Sequence, residues 1–126
     1  MSAIMWFRRD LRISDHPALN EAIAHAKKSD GEVVPVFILD PTLISKAGSK
    51  RLAYLGNSLR ELDRSLNGAL HIIAGDQITV LKELMKRYNA SSVHISAEYE
   101  PYGAARDLAI EKAGIELIRT GSPYAV

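Results

Sequence analysis

Short apolar runs of β-type alternate along this chain with longer segments whose apolar residues recur every three or four positions. Residues 2–7 (SAIMWF) form the first run. A helix then starts at Asp15, His16 and Pro17, since proline suits a first helical turn, where its missing N–H has no partner to lose. Ala18, Leu19, Ala22, Ile23 and Ala26 make its apolar stripe, and Ser29, Asp30 and Gly31 stop it. Residues 32–39 (EVVPVFIL) read as a strand covered on both faces, with Pro35 marking a nearby edge or an irregularity, because proline removes a ladder donor. Leu52, Leu55, Leu59, Leu62 and Leu66 predict the clearest helix. Residues 70–74 form a third strand, and a helix follows with Val80, Leu81, Leu84, Met85 and Tyr88. Residues 92–96 form a fourth strand, residues 104–113 a helix ended by Gly114, and residues 115–119 a fifth strand.

Five strands separated by four helices, with connections too long for hairpins, predict right-handed βαβ crossovers. The fold class is therefore α/β: a Rossmann-like, doubly wound, five-stranded parallel sheet flanked by helices. In such sheets ligands sit outside the carboxyl ends of the strands, where strand order reverses. Attention falls on the segments that follow the strands, residues 8–12, 40–41, 75–76, 97–103 and 120–124.

A length of 126 residues predicts one domain over 1–126. The chain has no cysteine, which excludes thiol catalysis, thiolate metal sites and disulfide stapling. With 16 Lys and Arg against 15 Asp and Glu, it lacks the basic excess of a dedicated nucleic-acid surface. No apolar run approaches the roughly 20 residues that span a bilayer, and Arg8 and Arg9 interrupt the N-terminus, so a cytoplasmic protein with no membrane partner is expected.

Several familiar motifs are missing. There is no G-x-G-x-x-G or P-loop to cradle phosphates and no G-x-S-x-G nucleophile elbow. His16, His25, His71 and His94 are scattered, without a metal-ligand pair on one helix; His71 and His94 read as ordinary strand residues. The turn Arg8-Arg9-Asp10-Leu11-Arg12 suits either an anion clamp or an internal ion pair, with Asp10 taking a neighbouring arginine, that fixes the loop or docks another domain. Asp76 reads as a helix N-cap. Arg51 opens the leucine-striped helix, where a cation opposes the helix dipole, so an acid or a ligand is expected to partner it. Glu98 to Tyr102 combines two carboxylates with two flat rings; it suits either a ligand or a solvated, helix-capping loop.

Trp6-Phe7-Arg8-Arg9-Asp10-Leu11-Arg12 followed by Ser14-Asp15-His16-Pro17-Ala18-Leu19 resembles the opening signature of the DNA photolyase/cryptochrome family. Further blocks follow in the same order. They are Val34 through Pro41, Arg51 with Tyr54-Leu55 and Ser58-Leu59, Gly75-Asp76, Glu100-Pro101-Tyr102 with Arg106-Asp107, and Gly121 through Val126. The likeness spans essentially the whole chain. It implies the N-terminal α/β domain of a deoxyribodipyrimidine photolyase, which holds a light-harvesting antenna chromophore and passes excitation to FAD in a following helical domain. That C-terminal FAD-binding domain, absent from this chain, would be the partner that contacts damaged DNA and splits pyrimidine dimers, so the fragment alone is expected to lack repair activity. By position, the resemblance implies a chromophore slot formed by Phe37, Ile38, Leu39, Asp40, Arg51, Glu98 and Glu100. Folate-binding members tend to carry Asn-Glu at Tyr102-Gly103 and a histidine near Lys46. The Glu-Pro-Tyr-Gly form with Arg51 and an acid at 98 looks more like members that bind 8-hydroxy-5-deazaflavin, with FMN or methenyltetrahydrofolate as alternatives. A cryptochrome photoreceptor domain and a stand-alone small-molecule-binding module are the competing functional readings.

Overall fold

The computed structural model describes residues 2–8, 11, 13, 16–41, 48–96 and 101–120, with the side chains of 101–104 left aside. Among the described residues nine elements alternate: β1 (Ser2–Phe7), α1 (Pro17–Lys28), β2 (Val33–Leu39), α2 (Ser49–Ser65), β3 (His71–Ala74), α3 (Gln77–Arg87), β4 (Ala90–Ser96), α4 (Pro101–Lys112) and β5 (Leu117–Thr120). The strands form one sheet in the order β3-β2-β1-β4-β5, parallel at every pairing. All six residues of β1 are buried, because β1 is the central strand and both of its faces are covered.

Two apolar layers enclose the sheet. On one face Ala3, Met5, Phe7 and Phe37 pack under Ala18, Leu19, Ala22 and Ala26 of α1 and Leu59 and Leu62 of α2. On the other, Ile4, Trp6, Val36, Ile38, Val93 and Ile95 pack under Val80, Leu81 and Leu84 of α3 and Ile110 of α4. The period-2 alternation along β1 and β2 thus divides neighbouring residues between the two layers.

Several expectations are sharpened or corrected. Pro35 lies in β2, an interior strand next to the edge strand β3, in keeping with the nearby edge it marks. Gly75 donates its N–H to the Leu39 carbonyl at 3.0 Å, so the odd-numbered residues of β2 face β3. Since β3 begins only at His71, opposite Val36, the donor that proline lacks falls beyond the end of that neighbour and no ladder bond is lost. The leucine stripe of α2 is buried only in its second half: Leu59 and Leu62 are buried, whereas Leu52 is 38% exposed. Ile23, placed on the α1 stripe, is exposed as well.

Strand and helix boundaries also move. β4 starts at Ala90, two residues early, where Ser2 of the central strand pairs with it. α4 starts at Pro101 rather than 104, in keeping with proline in a first turn. β5 spans Leu117–Thr120; Ile115, which reads as strand by its apolarity, is instead a buried residue of the turn before it.

Candidate functional site

Because all five strands are parallel, Arg8, Asp40, Gly75 and the carboxyl ends of β4 and β5 lie along one edge of the sheet, and strand order reverses there between β1 and β4. Arg8 crosses that reversal point. Its Nη1 donates to Asp107 Oδ1 of α4 at 2.7 Å, and its Nη2 donates to the Ser96 carbonyl at the end of β4 at 2.6 Å. The two side chains are 7% and 1% exposed, so each charge depends on the other for its solvation. Arg106 Nε approaches the same Oδ1 at 3.5 Å. The Arg8 and Arg106 guanidiniums stand 5.0 and 5.5 Å from the centre of the buried Trp6 ring, within cation–π range. Arg8 therefore ties β1, β4 and α4 together. Of the two readings of the charged turn, Arg8 fulfils the internal ion pair, with an acid ninety-nine residues away. Arg9, Asp10 and Arg12 lie outside the described residues.

The residues expected to form a slot are placed as follows. Phe37 belongs to the layer beneath α1 and α2, and Ile38 to the layer beneath α3 and α4. Their side chains thus point to opposite faces and anchor the end of β2 from both sides. Leu39 is half-buried against the α1 and α2 layer, and Asp40, also half-buried, follows it at the edge. Arg51 is exposed in the first turn of α2 and makes no hydrogen bond or ion pair with a described residue. Glu98 and Glu100 lie outside the described residues, as do Lys46 and residues 121–126; the side chains of Tyr102 and Gly103 are likewise undescribed.

The start of α2 has an unusual donor set. Gly48 is the N-cap and supplies no side-chain bond, and the first turn holds no acid. Initial N–H groups of a helix lack intrahelical acceptors, so among the described residues this end offers N–H donors beside the Lys50 and Arg51 cations and no acid. Residues 48–54 are exposed throughout, and Tyr54 is 76% exposed. A flat molecule with an anionic or carbonyl-rich edge matches such a set. A cationic ligand edge lacking acceptors does not.

Asp76 is the N-cap of α3, as its position after β3 predicts: Oδ2 accepts from Thr79 N and Thr79 Oγ1, each at 3.0 Å. These bonds favour the ionised form and hold its carboxyl below the ordinary carboxylate range. Gly75 before it has φ 152°, and a Cβ there would lie 3.2 Å from Val80 Cγ2, so the turn from β3 into α3 needs glycine.

The histidines are less scattered than their spacing suggests. His16 is the buried N-cap of α1, with Nδ1 accepting from Leu19 N at 3.2 Å. His71 donates through Nδ1 to the Pro35 carbonyl at 3.2 Å, which leaves Nε2 to accept from the Tyr88 hydroxyl at 2.9 Å. His25 of α1 and His94 of β4 meet edge to face, with ring centres 5.3 Å apart. The one sequence hint of this last contact is that His25 adjoins Ala26 on the buried stripe.

The family model for DNA photolyase matches residues 3–123. The chain belongs to the DNA photolyase family. Among curated relatives it is 39% identical over 127 residues to cryptochrome-1 of Erithacus rubecula, covering 94% of this chain and 20% of that protein. It is 37% identical to the deoxyribodipyrimidine photo-lyase of Thermus thermophilus, covering 87% of this chain and 26% of that protein. The crystal structure of a bacterial class III photolyase from Agrobacterium tumefaciens superposes with a TM-score of 0.80 at 32% identity, over 96% of this chain and 25% of the other. An archaeal photolyase from Sulfolobus tokodaii, described with two FAD molecules and an implied novel light-harvesting cofactor, does so with a TM-score of 0.80 at 30% identity, over 99% and 30%. This photolyase-family chain thus spans about a fifth to a quarter of the length of the curated relatives it matches. Among its described residues no helix is long and apolar enough to cross a membrane.

Proposed function

We propose that this chain is the antenna-chromophore-binding unit of a deoxyribodipyrimidine photolyase, forming one α/β domain over residues 1–126. The observation that carries the reading is the acid-free start of α2, with Arg51 exposed and making no ion pair with a described residue, at the carboxyl edge of a photolyase-family sheet. The bound chromophore supplies absorption of near-UV or blue light and excitation energy for a flavin elsewhere. The chain's own task is to hold it at one distance and orientation. Phe37 and Ile38 serve by fixing the end of β2 from both layers, and Leu39 and Asp40 serve at the edge. Arg51 takes an anionic group, and Glu98 and Glu100 take ring N–H or hydroxyl groups.

8-Hydroxy-5-deazaflavin suits this donor set, because its acidic hydroxyl, once ionised, and its ring carbonyls are acceptors; FMN and methenyltetrahydrofolate are the other candidates. The two FAD molecules described for the Sulfolobus tokodaii relative favour a flavin as the second choice. FAD for catalysis and the contact with damaged DNA belong, in this proposal, to a separate helical part of the parent protein. The isolated chain then shows no light-driven dimer repair. Mixing the chain with each chromophore in turn tests the reading: a red-shifted, protein-bound absorption band is expected for the deazaflavin, and failure to bind any of these molecules sinks it.

Identity of 39% to cryptochrome-1 favours a second reading, the matching domain of a blue-light photoreceptor. Light-driven repair of pyrimidine dimers by the full-length parent separates the two. Repair supports the photolyase, and its absence, with flavin bound and photoreduced, supports the cryptochrome.

A further inference from the structure

We propose that His25 and His94 form an acid-sensitive latch that holds α1 on β4. His94 is fully buried at the middle of β4, where its Cα partners are Met5 of β1 and Ile118 of β5. Its Nε2 lies 3.1 Å from the hydroxyl of Ser92, itself fully buried, while its Nδ1 is buried with no hydrogen-bond partner. From α1 the ring of His25 covers it edge to face, at 66° between planes, and His25 Nε2 reaches Ser91 Oγ at 3.4 Å. Two imidazoles and two serine hydroxyls thus form the polar part of an otherwise apolar contact between helix and sheet.

Such a contact is stable when both rings are neutral. A protonated His94 has two N–H donors, of which the one at Nδ1 is buried without an acceptor, and it places a cation 5.3 Å from the centre of a second imidazole ring. The charged groups facing it are His25 and Glu21 from α1 and Glu116 from the turn before β5; β1 and β5 contribute only Met5 and Ile118 beside it. Glu21 and Glu116 favour the charged ring, but burial and His25 oppose it more strongly, and His94 is held below the ordinary histidine value. Above the ordinary value His94 is neutral in both the folded and the unfolded chain. As pH falls through that value toward the lower folded one, the unfolded chain takes the proton first and the folded state loses stability. The first turn of α1, capped by His16, stands at the same carboxyl edge as Arg8 and Asp40. Release of the latch would therefore loosen one wall of that edge. The latch itself does not depend on the chromophore reading.

Proton NMR of the imidazole Cε1–H signals tests it directly. His94 is expected to titrate with a midpoint below that of free histidine, and the backbone amides of α1 to lose hydrogen-exchange protection between pH 7 and pH 5, after correction for intrinsic rates. In His94→Phe, which keeps an edge-to-face ring, the denaturation midpoint should fall less over that interval than in the wild type. A His94 midpoint at or above that of free histidine, or α1 protection unchanged with pH, overturns the proposal. Should His94→Phe fail to fold, the two wild-type measurements still decide.

Discussion

Arg8 shows how far a residue's role can lie from its sequence neighbours. The charged turn pointed to an ion pair within the turn; Asp10 lies outside the described residues, and the described partners of Arg8 are Asp107 and the Ser96 carbonyl. Nothing local signals this, because contacts across ninety-nine residues arise only once β1 and β4 are adjacent. Asp107→Ala removes the buried carboxylate that faces the Arg8 guanidinium, so it is expected to cost about 3–5 kcal/mol in chemical denaturation. A loss near zero would mean that the pair is solvated in solution. Asp76, in contrast, was legible in sequence, since an N-cap needs only a polar acceptor at a strand-to-helix turn. Its carboxyl is held low by Thr79, so the stability it contributes is present above the ordinary carboxylate range and is lost as pH falls through and below that range. Asp76→Ala should remove that part of the acid dependence, as read from denaturation midpoints between pH 5 and pH 2.

At the scale of elements, the described helices were legible from recurrence of apolar residues every three or four positions and the strands from short, largely apolar runs. What periodicity does not carry is where a helix overhangs its sheet. The leucine stripe from Leu52 to Leu66 looks uniform in sequence, but burial is complete only at Leu59 and Leu62, which share a layer with Phe7 and Phe37. Leu59→Ala and Leu62→Ala are each expected to destabilise the fold by about 2–5 kcal/mol, and Leu52→Ala by far less. Equal losses at Leu52 and Leu62 would contradict the overhang. Pro35 teaches the same lesson for strands, since its cost depends on which neighbour its missing N–H faces and where that neighbour begins.

For the whole molecule, the α/β class and the parallel sheet followed from alternation and connection length, and family membership from ordered blocks of residues. The candidate site was legible only in part. Arg51 stood out because a cation at a helix start is unfavourable without a partner. The opposite facing of Phe37 and Ile38, and the ion pair across the reversal point, required the assembled sheet. The central claim is that the carboxyl edge at β2 and α2 grips a chromophore through Arg51. Affinity for 8-hydroxy-5-deazaflavin, measured for Arg51→Ala beside Arg64→Ala, tests it most directly. Arg64 is an exposed cation in the last turn of the same helix and controls for net charge. Loss of one charge-assisted bond predicts about tenfold weaker binding for Arg51→Ala, with Arg64→Ala close to wild type; equal affinities in the two variants would contradict the account.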